Sequence, residues 1–348
     1  MFRPKFKITN KINKCLLEIE RARGFLDAAN LKDDWIQSMQ SEALIIESHY
    51  STHIEGTELT LSQAQKILKG RAVKGIKQDD RQELLNYKAA MDFVSKYLGV
   101  KEEITEDLIK QIHAILVKDV RGGTLEPGKY RKVQNYIINS STREVIYTPP
   151  PYTKIPKLMS EFVGWLNRKS EISPVLVAGI GQFQFVDIHP FLDGNGRTAR
   201  VLCSLILYQN GYDFKRLFSL SEYYDLNRNR YYDAIQSVRE QNDDMTQWLE
   251  YFTEGLMKQL KEVKQKGEKA IKKDIISQNA EQFRLNDRQQ KILNYFLDVN
   301  SASVDEIKQE FDFVRRTIQR DLSKLVELGL LKVVSKSTTD PTKYYKLL

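Results

Sequence analysis

Residues 189–200, His189-Pro-Phe-Leu-Asp-Gly-Asn-Gly-Arg-Thr-Ala-Arg200, constrain this chain more than any other stretch. Pro190 steers His189 away from helical geometry, which places the histidine in a loop or at the end of an element. Gly194 and Gly196 flank Asn195 and permit a tight turn with close approach of a ligand. An apolar helical pattern then follows through Val201, Leu202, Leu205 and Ile206. A glycine-rich turn that feeds a helix start presents unpaired N–H groups suited to phosphate. Arg197 and Arg200 lie three apart, on one face of that helix. Two cations at a helix N-terminus oppose its dipole, and a local anion would account for them. Asp193 offers the hard oxygen that Mg²⁺ uses beside nucleotide phosphates. A histidine beside such a site can take a proton from a hydroxyl nucleophile.

The rest of the chain predicts helices almost throughout. Helical periodicity runs from 11 to about 50, and 42–55 reads as a further helix with Gly56 as its C-cap. Further helices are predicted from Thr60-Leu61-Ser62 to about Lys69 and over 79–98, 105–119, 154–168, 174–187, 194–210 and 226–241, then from 243 onward. Gly122-Gly123 breaks the chain, and 136–148 reads as one small β-hairpin closed by Pro149-Pro150-Pro151. Seven lysines between 258 and 273 mark a long, exposed linking helix. Beyond it come helices over 286–297, 303–311 and 314–328, then strand-like runs at 330–335 and 343–347, which is the order of a winged helix-turn-helix.

Composition narrows the setting. Hydrophobic residues make up 41% and charged residues 29%, as in ordinary folded proteins. A charge of +8 is compatible with phosphates or acidic partners, and also with solvated lysines. Two cysteines, Cys15 and Cys203, argue against a disulfide framework, which suits a reducing compartment. Neither a signal peptide nor the roughly 20 apolar residues of a membrane span is read, so a cytoplasmic protein with no membrane partner is expected.

The segment 189–200 also resembles, without gap or departure, the signature His-Pro-Phe-x-Asp/Glu-Gly-Asn-Gly-Arg-x-x-Arg of Fic-domain proteins. The resemblance implies transfer of AMP from ATP to a Ser, Thr or Tyr hydroxyl, with release of pyrophosphate. His189 would be the general base, and Asp193 would hold Mg²⁺. Gly194, Asn195 and Gly196 would form the anion-binding turn, and Arg197 and Arg200 would grip the β- and γ-phosphates. Gly128-Lys-Tyr-Arg131 and Ile146-Tyr-Thr-Pro-Pro150 resemble the borders of the Fic flap. That likeness makes Ile146, Tyr147 and Thr148 candidates for docking a target by strand addition. Leu226-Asn-Arg-Asn-Arg-Tyr-Tyr-Asp-Ala-Ile235 resembles the segment bordering the nucleotide, with Tyr231 taken as the adenosine contact over Tyr232.

Ser51-Thr-His-Ile-Glu55-Gly56 resembles the family's inhibitory motif. Ser51 and Glu55 share one helical face. By that resemblance Glu55 pairs with Arg200 and denies it to the γ-phosphate.

The expected architecture is mainly α, with four parts: an N-terminal helical region over 1–110 that carries the inhibitory helix (42–56), a Fic-fold core with its hairpin flap over 111–250, a linking helix over 251–283 and a winged helix over 284–348. The expected function is autoinhibited adenylyl transfer to protein substrates or to the chain itself, using ATP and Mg²⁺. Two alternatives stand beside it: a nucleotide-sensing DNA-binding regulator with little turnover, and AMP removal using Glu55. Residues 284–348 carry twelve Lys/Arg against nine Asp/Glu, with Arg315, Arg316 and Arg320 on the third helix. DNA, a docked protein and a homodimer interface are all open to this unit.

Overall fold

The computed structural model describes residues 2–97, 103–120, 126–138, 142–299, 301–335 and 343–348. Gly122-Gly123, the final residue of the helix expected over 79–98, the tip of the hairpin and the turn between the last two strands lie outside them. The chain divides into two compact units, Met1–Lys264 and Gln265–Leu348. The division falls inside one helix rather than in a loop.

The first unit opens with α1 (Asn10–Ala28) and α2 (Asp33–Ile54). Residues 42–55 are therefore no separate helix but the second half of α2, because nothing between Met39 and Glu42 interrupts the helical backbone. Then follow α3 (Leu61–Leu68), α4 (Gln78–Tyr97) and α5 (Glu106–Leu116). Thr60 and Thr105 cap the starts of α3 and α5, each accepting from the N–H three residues on. Strands β1 (Ile137–Ile138) and β2 (Val145–Tyr147) pair antiparallel, with Ile137 opposite Tyr147. Helices α6 (Ile155–Leu166), α7 (Pro174–Ile188), α8 (Asn195–Gln209), α9 (Leu220–Leu226), α10 (Arg228–Glu240) and the first half of α11 (Thr246–Gln282) complete it. The sequence reading missed α9.

Helices α7 and α8 form the centre. Buried residues surround both, as expected of helices without a solvent face. Close approach is built in: a Cβ at Gly181 would stand 2.8 Å from Ile206 Cδ1. The indole of Trp248 donates to Gly179 O at 2.8 Å, tying α11 to α7. The junction of α7 with α8 is the segment 189–194, so the best-packed pair of helices fixes it from both sides.

Helix α2 is pinned by a buried carboxylate. Glu47 accepts from Tyr87 Oη of α4 at 2.9 Å, from Ser219 Oγ at 2.8 Å, from Ser221 N at 3.0 Å and from Ser221 Oγ. Four donors compensate a charge that burial would otherwise penalise by several kcal/mol.

The second unit holds α12 (Asp287–Asp298), α13 (Val304–Glu310) and α14 (Arg315–Glu327). Capping boxes at Asn286/Gln289 and Ser303/Glu306 start the first two. Strands β3 (Ser301–Ala302), β4 (Leu331–Val334) and β5 (Tyr344–Leu347) form a sheet of order β3-β5-β4, with Val333 opposite Tyr345. Ile292, Phe296, Ile307, Ile318, Leu322 and Tyr345 fill its core. Arg288 of α12 pairs with the buried Asp321 of α14. This is a winged helix; the two-residue β3 was too short to read as a strand in advance.

Candidate active site

His189 is the C-cap of α7, held in the left-handed region at φ 51°, ψ 58°. Its N–H closes the helix on Phe185 O at 3.0 Å. For a non-glycine residue this conformation carries strain that the surroundings must hold. The ring Nδ1 lies 3.1 Å from Val186 O. A carbonyl only accepts, so Nδ1 carries the proton and Nε2 carries the lone pair. Burial pushes the imidazole down to about 4, with the Val186 hydrogen bond and Glu55 acting in the opposite direction. At neutral pH it is a neutral base.

Beyond His189 the loop is locked by backbone contacts. Phe191 is fully buried. Phe191 N–H donates to Asn195 Oδ1 and Asn195 Nδ2 donates to Phe191 O, both at 2.9 Å. The Asn195 side chain thus closes the turn, leaving its backbone and that of Gly196 at the start of α8. Gly194, at φ 73°, is the N-cap, and a Cβ there would stand 2.8 Å from Val117 Cγ1. Asp193, with a side chain 26% exposed, accepts from Gly194 N at 2.6 Å through Oδ1.

Both signature arginines are already paired with carboxylates from the N-terminal helices. Arg200 Nη2 donates to Glu55 Oε1 and to Ser51 O, each at 2.8 Å, and Arg200 Nε donates to Ser51 Oγ at 2.7 Å. Glu55 reaches it because α2 ends there: Gly56, at φ 105°, turns the chain, and Thr57 N–H bonds back to Thr52 O at 3.2 Å. Arg197 is fully buried and donates to Glu83 Oε2 of α4 at 2.7 Å. The anions that two cations at a helix start require are supplied by the chain itself. Arg197 keeps two buried nitrogens, Nε and Nη2, without a hydrogen-bond partner, and Nη2 lies 3.9 Å from Asp193 Oδ2. Unpaired buried donors beside a glycine turn fit an incoming phosphate.

Tyr231 is placed differently from the sequence expectation. It is 2% exposed, with its ring stacked on Tyr224 at 4.5 Å. Tyr232 is the neighbour that reaches the surface, at 48% exposed. Helical phase alone left that choice open, and the aromatic cluster of Tyr224, Trp248 and Tyr251 takes Tyr231. In the hairpin, Ile146 and Thr148 are exposed. Tyr147 turns inward: its hydroxyl donates to Asp187 O at 2.9 Å, and the Arg239 guanidinium lies over its ring at 3.4 Å.

Three supporting side chains were not legible in advance. Arg131 is buried among carbonyls: Nε donates to His189 O at 2.9 Å and Nη1 to Val133 O at 3.0 Å, while Nη2 donates to Pro150 O. It thus ties both arms of the hairpin to His189. Glu83 and His113 are the others, each a polar residue on the buried face of an amphipathic helix. That oddity was their only signal.

A left-handed histidine closing one buried helix, a glycine turn opening the next and a hairpin stapled across them define a Fic-type helical domain. Residues 103–207 match the family model described as Fic/DOC family. Residues 288–334 match a DeoR-like helix-turn-helix domain. A protein adenylyltransferase Fic from Drosophila willistoni is 32% identical over 200 residues, covering 57% of this chain and 38% of the relative. One from Culex quinquefasciatus is 31% identical over 226 residues, covering 64% and 42%. The chain thus spans about two fifths of the length of these relatives. Among solved structures, a Fic family protein from Desulfovibrio desulfuricans superposes with a TM-score of 0.65 at 23% identity, covering 100% of this chain and 98% of that one. Fic-1 from C. elegans gives 0.61 at 25% identity, covering 76% and 73%.

Proposed function

We propose that this chain transfers AMP from ATP to a hydroxyl side chain of a protein, and that Glu55 restrains the transfer. The observation that carries the reading is the fixed tautomer of His189, whose Nδ1–H is committed to Val186 O and whose Nε2 is left basic. In the reaction, Nε2 takes the hydroxyl proton as the oxygen bonds to the α-phosphorus. The bond from that phosphorus to the bridging oxygen breaks, and pyrophosphate leaves.

The first-turn N–H groups of α8 and the two unpartnered nitrogens of Arg197 receive phosphate oxygens. Arg200 takes the γ-phosphate when Glu55 yields it. Among the described residues no group of three His, Cys, Asp or Glu side chains gathers to hold a metal alone. Asp193, a single carboxylate about a quarter exposed, suits an ion held jointly with substrate phosphates, the usual manner of Mg²⁺. Bound there, Mg²⁺ would neutralise charge on the phosphates. On this reading Tyr232, exposed where Tyr231 is buried, would flank adenosine. Ile146 and Thr148 present the hairpin edge to an extended target segment, with Tyr147 as the anchor beneath.

The test is double labelling. Incubation with ATP labelled at the α-phosphate should mark protein, this chain included, and label at the γ-phosphate should not. Label retained from the γ-position would mean phosphorylation and would overturn the reading, as would label that survives His189→Ala.

The C-terminal unit supports a second reading, DNA binding. Arg316, Gln319 and Arg320 of α14 are exposed, whereas Arg315 is held by Asp305. On this reading Arg316→Ala and Arg320→Ala each lessen the salt dependence of duplex binding by about one ion. No binding to duplex libraries at low salt would remove it.

A further inference from the structure

His113 stands behind the phosphate-binding loop and spends both ring nitrogens on backbone. It lies on the apolar face of α5 with Leu108, Ile109, Ile112 and Leu116, and is fully buried. Its ring stacks flat on Phe191, with centroids 3.7 Å apart and planes 4° from parallel. Nδ1 is 3.0 Å from the N–H of Gly128, which can only donate, so Nδ1 accepts. Nε2 therefore carries the proton and donates to the carbonyl of Asp193 at 3.0 Å. Gly128 begins the segment that runs through Arg131 into the hairpin, and Asp193 precedes the turn that opens α8. One side chain thus sets two loops against each other, one leading to the target and one to the nucleotide. Beside it, a Cβ at Gly128 would lie 3.1 Å from Lys110 O.

We propose that His113 is a positioning residue for nucleotide capture, holding the Asp193 carbonyl so that the Asp193 carboxylate is aimed at the Mg²⁺ that would accompany the triphosphate. The inference rests on the adenylyltransferase reading of the same site. His113 touches neither substrate nor reacting atoms. It acts through the backbone of Asp193, as groups behind metal ligands commonly do. The two hydrogen bonds separate chemically. Glutamine places an amide N–H near the position of Nε2 and so preserves the bond to Asp193. Asparagine places an acceptor near Nδ1 and preserves the bond to Gly128 only. Phenylalanine retains the stack on Phe191 and loses both bonds.

The experiment is calorimetric binding of ATP, with and without Mg²⁺, to the full chain carrying Glu55→Gly, in which Arg200 is released. His113→Gln, His113→Asn and His113→Phe are compared in that background, each checked by thermal melting. With Mg²⁺, the Asn and Phe variants should bind ATP about tenfold more weakly than the parent, and the Gln variant within about threefold. Without Mg²⁺, all should bind within about twofold of the parent. If the Phe variant does not fold, the contrast between Gln and Asn decides alone. Equal affinity of Gln and Asn variants, or equal losses with and without Mg²⁺, would overturn the inference. A parent that binds no ATP would instead overturn the reading beneath it, and the inference would fall with it.

Discussion

Glu55 Oε1 accepts from Arg200 Nη2 at 2.8 Å in a space that exists because residue 196 is glycine. A Cβ at Gly196 would collide with that same carboxylate oxygen. The carboxylate therefore lies on the first turn of α8, where an incoming phosphate would be drawn. The Glu55 side chain is 24% exposed and ends a helix, whereas Arg200 is buried. Of the two partners, the glutamate is the one free to leave.

Arg200 would keep part of its clamp without Glu55, since Ser51 accepts twice, through Oγ and O. Ser51→Ala removes one of those bonds and leaves Glu55 in place. AMP incorporation by Ser51→Ala should therefore rise by no more than a few fold, about the worth of one hydrogen bond of 0.5–1.5 kcal/mol. A rise equal to that of Glu55→Gly, measured in the same labelling assay, would assign the restraint to Ser51 instead.

Arg197 and Glu83 form the contrasting pair, buried on both sides. Glu83→Ala strands a buried guanidinium and should cost about 3–5 kcal/mol of stability. Glu55→Gly, at a partly exposed helix end where Arg200 keeps its two bonds to Ser51, should cost less, about 1–2 kcal/mol. Urea unfolding of the two variants beside wild type measures the difference, and similar midpoints would contradict it. On the proposed reading Glu83 is a permanent counter-charge, and Glu55 a removable one.

Three of the four histidines, His49, His113 and His189, are pushed by burial down to about 4. In the unfolded chain they take up protons near 6.5. Between pH 6.5 and 4 the unfolded state therefore binds more protons, and stability falls as pH falls through that window. The slope reaches on the order of 4 kcal/mol per pH unit at most if all three contribute. Urea midpoints at pH 7, 5.5 and 4.5 should decline in that order; a flat profile would mean the rings are protonated in the folded protein. The same displacement puts the acid limb of kcat/KM for AMP transfer well below pH 6.5.

Tyr147 anchors the hairpin through Asp187 O. Tyr147→Phe should raise KM for a protein target severalfold, matching about 1 kcal/mol, and leave ATP affinity unchanged. Loss of ATP affinity in this variant would mean the hairpin also shapes the nucleotide site.

Contiguous features of the site were legible in the sequence. Residues 189–200 form one loop and one helix start, so their order along the chain is nearly their order in space. Ser51 and Glu55 were legible for a similar reason, being one helical turn apart. Long-range partners were not. Glu83 is 114 residues from Arg197, and helical periodicity tells which face of α4 is buried but not which helix it meets. His113 sits among leucines and isoleucines and reads as core until Asp193 and Gly128 are found at its nitrogens. Tyr231 and Tyr232 show the limit from the other side, since adjacent helical positions point about 100° apart and only packing says which is inside.

The central claim, that Glu55 withholds Arg200 from ATP, is tested most directly by AMP incorporation from α-labelled ATP, measured in parallel for wild type, Glu55→Gly and Glu55→Gly with His189→Ala. The account predicts slow labelling in wild type, labelling faster by about tenfold or more in Glu55→Gly, a barrier change of about 1.4 kcal/mol or more, and none in the double variant. Labelling of Glu55→Gly no faster than wild type, with both proteins binding ATP equally well, would contradict it.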